Sequence, residues 1–165
     1  MNTQIEIIEK LCPTYKVNKS KHYIRHDFFK EICTEIQAYL LGFFIADGSI
    51  NEKRKTFSVE LQHDDIEIIN LFKQFICQDA YTFYKKYNNV KNRGKLVISH
   101  GNVGININSS ILCNSLVNLG YGYRKTYSEL KFSDKIPYSL IRHLIRGFFD
   151  GDGSFSYSRV FDKTK

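Results

Sequence analysis

Two aspartates, Asp47 and Asp152, occupy the same place in a segment that occurs twice along the chain. The sequence GFFIADGSI at residues 42–50 recurs as GFFDGDGSF at residues 147–155, and six of the nine positions are identical. Two carboxylates that share a small site need a counterion, and hard divalent cations such as Mg²⁺ take oxygen ligands. Beside the phosphates of a duplex, bound cations activate water and stabilise the leaving oxygen. The chemistry that the pair implies is therefore phosphodiester hydrolysis.

Each aspartate also has a plainer structural explanation, because Asp followed by Gly is typical of a turn at the end of a helix. The repetition favours the functional interpretation over this one. Asp150 is a tempting third ligand, but the first copy has Ile45 at that position. Asp150 lies two residues before Asp152 on the same predicted helix, so its side chain should point away from the repeated aspartates. We therefore expect it to have a structural or peripheral role.

The repeated aspartates lie at the ends of two apolar segments with helical character, residues 36–45 and 140–149. Both segments run into Asp-Gly-Ser, which is typical of a helix end. Two small residues four positions apart lie on one face of each predicted helix, where they let two backbones approach closely. These are Gly42 with Ala46 and Gly147 with Gly151. If the helices pack along these faces, their C-terminal ends meet and the two aspartates face each other across a pseudo-two-fold axis.

Between the two copies the hydrophobic pattern changes its period. Residues 56–62 alternate between polar and apolar side chains, which predicts a half-buried strand. Residues 66–76 have helical spacing after two acidic residues, which predicts a helix with an acidic start. Residues 80–87 and 95–99 flank a turn-rich connection, so we predict that they pair as a β-hairpin.

The rest of the pattern completes an α+β fold. Residues 104–108 extend the second strand of that hairpin or add another. Residues 109–119 form a helix that Ser109 and Ser110 cap and Gly120 ends. The order helix, two strands, helix, two strands, helix, followed by the second repeat helix, predicts an antiparallel four-stranded sheet.

Composition and charge narrow the class of protein. A hydrophobic share of 42% with 13 Phe and 11 Tyr is typical of a globular protein and excludes a largely disordered one. The net charge of +7 attracts polyanions, so nucleic acid is the first partner to consider. The N-terminus lacks the apolar core of a signal peptide, and the longest apolar run, residues 38–46, is too short to span a bilayer. We therefore expect no membrane partner and a soluble intracellular protein of the cytoplasm, with an organelle as the alternative location.

The cysteines are too widely spaced for a common metal or redox motif. They are Cys12, Cys33, Cys77 and Cys113. No Cys-x-x-Cys pair suggests a zinc knuckle or a redox site. We expect reduced and mostly buried thiols.

The two motifs, LGFFIADG at residues 41–48 and IRGFFDGDG at residues 145–153, resemble those of the LAGLIDADG (DOD-type) homing endonucleases. The resemblance covers about residues 36–155. It implies a saddle-shaped fold in which each half is an αββαββα unit, the motif helices form the central interface and the sheets lie in the major groove of double-stranded DNA. It also implies that Asp47 and Asp152 bind a catalytic divalent cation, Mg²⁺ or another, in an enzyme of mobile genetic elements such as introns that cuts DNA at a long recognition site. Ile45 and Arg146 depart from the family's pattern at positions that are usually acidic and small.

The resemblance favours DNA contact by polar side chains of the sheet and by basic turns. The side chains that would read base edges are Ser58, Glu60, Gln62, Lys85 and Lys95. Those that would hold phosphates are Lys53, Arg54, Lys55, Lys91 and Arg93. The plainer alternative is an ordinary solvated strand face. The resemblance also implies a basic residue near the active site, and Lys125 matches that position; the alternative there is a surface lysine.

We divide the chain into a basic N-terminal extension (1–34), a first LAGLIDADG endonuclease domain (35–135) and the start of a second, truncated one (136–165). The extension is a DNA-contacting arm, the end of a helical module or a solvated lead-in. Only thirteen residues follow Asp152, too few for a second sheet. We expect a fragment or a truncated protein, the alternative being a pseudo-dimer in which another chain supplies the missing half. Because half of the DNA-reading surface would be absent, we expect weak or no sequence-specific cleavage by these residues alone.

Two rival interpretations come from other functional classes. A catalytically inactive DNA- or RNA-binding module, such as a transcription regulator or an intron maturase, would keep the same scaffold without nuclease activity. A structural protein with a small-residue helix pair explains the glycines but not the repeated aspartates. Retention of both Asp47 and Asp152 favours the endonuclease.

Overall fold

The computed structural model describes residues 2–17, 22–86, 90–92, 95–97, 101–122 and 133–153, with the backbone alone at 2–3, 90–92 and 95–97. Its α-helices are α1 (Asn2–Leu11), α2 (Glu35–Asp47), α3 (Ile66–Ile76), α4 (Ser110–Asn118) and α5 (Tyr138–Asp152). Its strands are β1 (Gly48–Asn51), β2 (Thr56–Gln62), β3 (Thr82–Lys85), β4 (Val90–Asn92), β5 (Lys95–Val97) and β6 (Asn102–Asn108). A 3₁₀ turn, His63–Asp65, leads into α3. The predicted α+β class and the predicted repeat helices are confirmed.

A four-stranded sheet in the order β1-β2-β6-β3 forms the centre of the fold, and every neighbouring pair is antiparallel. Phe57 and Val59 of β2 and Ile105 of β6 point to one face and are almost completely buried. The helices cover this face, whereas the other face carries mostly polar side chains. The alternation predicted for residues 56–62 is therefore confirmed. Successive side chains of the strand point to the apolar face and to the open face in turn.

The predicted hairpin between residues 80–87 and 95–99 is wrong. β3 pairs with β6, where Phe83 stands opposite Gly104, and β4 pairs with β5 in a separate two-stranded ribbon. Gly104 explains the pairing, because a Cβ there would lie 2.5 Å from Cζ of Phe83, so the ring rests on the bare backbone of β6. Residues 104–108 thus belong to a strand of their own and do not extend the strand before them.

Side-chain caps fix the starts of the helices that border the site. Thr34 and Gln37 form a reciprocal capping box at the start of α2, and Gln37 Nε2 also donates to Phe28 O at 2.7 Å. At α4, the Ser109 hydroxyl accepts from Leu112 N at 3.0 Å, which confirms the predicted cap. Each cap satisfies a backbone donor that the helix itself leaves unpaired.

The first 34 residues do not stand apart from the rest, in so far as the structure describes them. Ile8 of α1 and Phe28 and Phe29 of the following segment are buried in the same core as the sheet. The ring of Phe29 lies 6.3 Å from that of Phe57, and Arg25 N donates to Ile76 O at 2.8 Å. A solvated lead-in is therefore wrong for this segment, because its apolar side chains complete the core beneath the sheet.

The cysteines behave as expected. All four are free thiols; Cys12, Cys77 and Cys113 are buried, and Cys33 is exposed. Burial raises the pKa of the Cys113 thiol to about 11, so this side chain stays protonated and unreactive at neutral pH. Among the described residues, no helix combines the length and apolar character that a membrane crossing needs.

His26 makes the stability of the fold depend on pH. Its side chain is 2% exposed, Nδ1 lies 2.7 Å from the Ser109 hydroxyl, and Nε2 has no hydrogen-bond partner among the residues that the structure describes. Burial lowers the pKa of His26 below its ordinary value. The unfolded chain, with a histidine pKa of about 6.5, therefore binds a proton at mildly acidic pH that the folded chain does not.

We accordingly expect the free energy of unfolding to fall as the pH drops below about 6.5, and to be unaffected by His26 above it. Urea denaturation of the wild type and of His26→Gln across this range measures the effect. His26→Gln should lose the part of the pH dependence that His26 contributes. The control His63→Gln changes an exposed histidine and should keep that part. A wild-type slope identical to that of His26→Gln would contradict the assignment.

Candidate functional site

Helices α2 and α5 pack with their backbones in contact. A Cβ built on Gly42 would lie 2.1 Å from Leu144 O and 2.6 Å from Phe148 N. A Cβ on Gly147 would lie 2.0 Å from Tyr39 O. Side chains do not fit at such distances, so glycine is what lets the two helices approach.

The contacts obey the symmetry of the sequence repeat. Gly42 meets Leu144, and Gly147 meets Tyr39, which holds in the first copy the position that Leu144 holds in the second. Ala46 and Gly151, also equivalent, meet each other, because a Cβ on Gly151 would lie 2.5 Å from that of Ala46. A residue that contacts its own equivalent lies on the axis of a two-fold arrangement. The axis therefore passes near Ala46 and Gly151.

The two repeated aspartates flank this axis. Oδ2 of Asp47 lies 2.9 Å from the position of a Cβ on Gly151, the residue immediately before Asp152. Asp47 is half-buried and Asp152 is exposed. Each is the last residue of its helix, and the glycine that follows it donates its N–H to the carbonyl of Phe44 or Phe149. Two carboxylates thus stand at two negative helix ends, an arrangement that a cation would stabilise.

Asp150 is engaged on the side of the helix pair. The Tyr39 hydroxyl donates to Oδ2 of Asp150 at 3.1 Å, and Arg146 Nε lies 3.6 Å from the same oxygen. Burial, together with the hydrogen bond to Asp150, raises the pKa of Tyr39 to about 12. These contacts fit a structural role for Asp150. The Arg146 side chain is 73% exposed with its guanidinium over the Tyr39 ring, so this unusual residue does not obstruct the packing of the helices.

The open face of the sheet carries four of the predicted DNA-contacting side chains. Ser58 Oγ donates to Asn106 Oδ1 at 2.7 Å, and Gln62 is exposed at the end of β2. Glu60 accepts from Lys85 Nζ at 2.5 Å. Partial burial alone would raise the pKa of Glu60, but hydrogen bonds from Asn102 and Lys85 outweigh it and hold the pKa below its usual range. Glu60 is therefore a carboxylate acceptor at neutral pH.

Three asparagines of β6, which the sequence interpretation missed, lie on the same face. They are Asn102, Asn106 and Asn108. Asn102 Nδ2 donates to Glu60 at 2.8 Å, and Thr56 Oγ1 donates to Asn108 at 2.7 Å. A carboxamide offers both donors and an acceptor, the pattern that base edges in the major groove match. Their alternation with apolar residues was visible in the sequence and would have identified this strand face.

The β1–β2 turn places basic side chains beside that face. Lys53 and Arg54 are exposed, and Arg54 N donates to Asn51 Oδ1 at 2.9 Å. Lys55 has a φ of +50°, which turns the chain into β2. Arg54 and Lys55 line a cavity of about 220 Å³ together with Asn108 and the first residues of α4.

Four other predicted site residues are beyond what the structure describes in full. Arg93 and Lys125 lie outside the described residues. For Lys91 in β4 and Lys95 in β5, the backbone alone is described. Their assignment to DNA contact or to the active site stays a prediction.

Two comparisons with known proteins bear on the site. The family model of the WhiA LAGLIDADG-like domain matches residues 36–103, a range that begins in α2 and reaches into β6. The chain is also 30% identical over 122 residues to the DNA-directed RNA polymerase subunit Rpo1C of Methanocaldococcus jannaschii. That alignment covers 73% of this chain but 13% of the subunit, so the chain spans a small part of the length of this relative.

Proposed function

Since residues 36–103 have the fold of a LAGLIDADG-like domain, we propose that the chain acts on double-stranded DNA as a metal-dependent endonuclease of the homing type. The observation that carries the proposal is that Oδ2 of Asp47 lies 2.9 Å from a Cβ position on Gly151, the residue that precedes Asp152 in the chain. Because Asp152 follows Gly151 directly in the chain, this approach supports a site that the two acidic residues share. A helix pair built only for packing has no need of them.

The side chains at the axis suit a hard divalent cation such as Mg²⁺. Asp47 and Asp152 offer carboxylate oxygens, and both stand at the negative end of a helix dipole. A divalent ion at such a pair supplies activation of water and neutralisation of charge on the leaving oxygen. The chain's own contribution is to hold the two carboxylates at fixed positions, through the backbone contacts of Gly42 and Gly147.

DNA recognition is assigned to the open face of the sheet. Ser58, Glu60 and Lys85, with the asparagines of β6, form a surface of side chains that are already hydrogen-bonded to one another. Side chains held in this way lose little conformational freedom on binding, which favours the reading of base edges. Lys53 and Arg54 would hold the adjacent phosphates.

Helix α5 would open a second unit related to the first, within a longer chain or completed by another chain. The assignment of Lys125 as the basic residue near the active site is part of the same proposal, as are those of Lys91, Arg93 and Lys95 to DNA contact. Each of them rests on the family resemblance of the motifs.

A DNA-binding module without nuclease activity is the second candidate. It is favoured by the family that matches, a WhiA LAGLIDADG-like domain, and by the similarity to part of an RNA polymerase subunit. Both candidates use the same scaffold and the same sheet face. They differ in whether Asp47 and Asp152 have a chemical task.

The test is to combine duplex binding with the conversion of supercoiled plasmid, each measured with Mg²⁺ and with EDTA. Conversion to nicked or linear DNA in Mg²⁺ alone supports the endonuclease. Salt-sensitive binding without conversion in either condition supports the binding module. Absence of both binding and conversion would overturn the proposal that this surface is a DNA interface.

The basic turn gives a separate prediction about affinity. Replacing Lys53 and Arg54 together by alanine should weaken binding to all duplexes alike and reduce the slope of log K against log salt by about 2, since each phosphate contact contributes about 0.9. Fluorescence anisotropy at several salt concentrations measures the slope. A matched control replaces Lys10 and Lys30 in the N-terminal segment, and an equal loss of slope there would show that the effect is one of net charge only.

A further inference from the structure

A second cluster of metal-ligand side chains lies on elements other than the helix pair. It consists of His22, Cys77 and Asp79, whose ligand atoms all lie within 4.8 Å of one another. Nδ1 of His22 is 2.8 Å from Oδ2 of Asp79, and Sγ of Cys77 is 3.4 Å from Oδ1. We propose that this cluster binds one Zn²⁺ ion through the imidazole, the thiolate and the carboxylate.

The spacing suits a tetrahedral ion. Bonds of about 2.0 to 2.3 Å from zinc to nitrogen, oxygen and sulfur place tetrahedral ligands about 3.3 to 3.7 Å apart. The separations in the cluster, from 2.8 Å to at most 4.8 Å, bracket this range. The side chains of His22 and Asp79 are 47% and 54% exposed and have room to adjust, whereas Cys77 is buried and fixed.

The backbone already holds the three residues near one another. Cys77 ends α3, where its N–H donates to Lys73 O at 3.0 Å, and its carbonyl accepts from Ala80 N at 3.0 Å. The segment that carries His22 is attached to the same helix end, because Arg25 Nη1 donates to Phe75 O at 3.1 Å and Arg25 N donates to Ile76 O. Ligands that are pre-positioned in this way bind an ion with little loss of chain freedom.

The donor set distinguishes this site from the aspartate pair. Burial, with Asp79 beside it, raises the pKa of the Cys77 thiol to about 12, so the thiol releases its proton to solvent only when the ion binds. The resulting thiolate and the imidazole favour zinc over Mg²⁺, which prefers oxygen. Three protein ligands leave the fourth tetrahedral position to water. His22 and Asp79 are 57 residues apart in the chain, so the ligands do not form a short sequence motif. The bound ion would fasten the N-terminal segment to the end of α3 and so stabilise the packing of that segment beneath the sheet.

Cobalt substitution tests the proposal without reference to DNA cleavage. Titration of the full chain with Co²⁺ should give a thiolate-to-cobalt charge-transfer band at one equivalent, and Zn²⁺ should displace it. Cys77→Ser should abolish the band, while Cys33→Ser, which removes an exposed cysteine outside the cluster, should leave it intact. His22→Ala and Asp79→Asn change exposed residues and should weaken cobalt binding by more than about 10-fold, the lower bound for loss of a supporting residue.

These two surface variants keep the test decisive if Cys77→Ser fails to fold. A charge-transfer band that is absent from the wild type would overturn the proposal. So would a band that disappears in Cys33→Ser, or a cobalt affinity that His22→Ala and Asp79→Asn leave unchanged.

Discussion

Replacing Gly147 by alanine is expected to lower the free energy of unfolding by about 2 to 3 kcal/mol. In an ordinary helix the same change would be stabilising by roughly 1 kcal/mol, because alanine is the better helix former. Here the new methyl group would lie 2.0 Å from Tyr39 O and 2.8 Å from the carbon of the same carbonyl. Backbone atoms cannot turn aside as a flexible side chain can. The helices must therefore move apart, and the apolar contacts of Leu144 with the core loosen.

Urea denaturation measures this effect, and Ser139→Ala is the matched control. Ser139 is exposed on the same helix, so its replacement should change the free energy of unfolding by no more than about 0.5 kcal/mol. By the symmetry of the repeat, Gly42→Ala should cost about as much as Gly147→Ala. If Gly147→Ala proves as stable as the wild type, α2 and α5 do not approach as closely as the structure has them.

Replacing either Asp47 or Asp152 by asparagine is expected to reduce the Mg²⁺-dependent conversion of supercoiled plasmid, which needs no specific site, by more than about 100-fold. This exceeds the usual effect of losing a residue that only supports a ligand. The amide keeps the size of the side chain but removes the negative charge that a divalent cation needs. Binding to duplex DNA should persist, because the sheet face is unchanged. Asp152 is exposed and makes no contribution to the core, so its replacement should not destabilise the fold.

Asp150→Asn is the control for that experiment. It changes a carboxylate of the same helix, but one whose partners are Tyr39 and Arg146. We expect cleavage within a few-fold of the wild type. If Asp150→Asn loses as much cleavage as Asp152→Asn, the effect comes from negative charge anywhere near the helix pair. The repeated positions then have no special role. Unchanged cleavage in all three variants would reject the aspartate pair as the catalytic site.

The helix pair was predictable because a repeated sequence imposes repeated contacts. The spacing of small residues around Gly42 and Gly147 is enough to indicate a close helix interface. The shared end of the motif then predicts that Asp47 approaches the end of the other helix, where Oδ2 lies 2.9 Å from a Cβ position on Gly151. The α+β class follows from the change of hydrophobic period between the two copies. These signals are local in the sequence. The repeat adds the prediction that the two equivalent helices pack against each other.

The errors arose where partners are distant in the chain. The turn-rich residues between β3 and β5 indicated a hairpin, but the partner of β3 is β6, whose Gly104 accommodates the ring of Phe83. The weak periodicity and the basic residues of the N-terminal segment indicate an extension outside the first domain. Ile8 and Phe28 belong to the same buried core as the sheet, and packing between distant segments leaves no periodic mark in the sequence.

The candidate site was predicted unevenly. The aspartates and the polar residues of β2 follow from motif and alternation, whereas the asparagines of β6 were overlooked although they alternate in the same way. The cluster of His22, Cys77 and Asp79 had no sequence signal, because a fold rather than a spacing rule brings His22 to the end of α3.

The most direct measurement is the binding of Mn²⁺ at the aspartate pair, detected by electron paramagnetic resonance in an Asp79→Asn background, which removes the exposed carboxylate of the other cluster. If Asp47 and Asp152 form one metal site, the chain binds Mn²⁺, Mg²⁺ competes for it, and both Asp47→Asn and Asp152→Asn weaken the binding while Asp150→Asn does not. Mn²⁺ binding that is the same in all of these proteins would contradict the account.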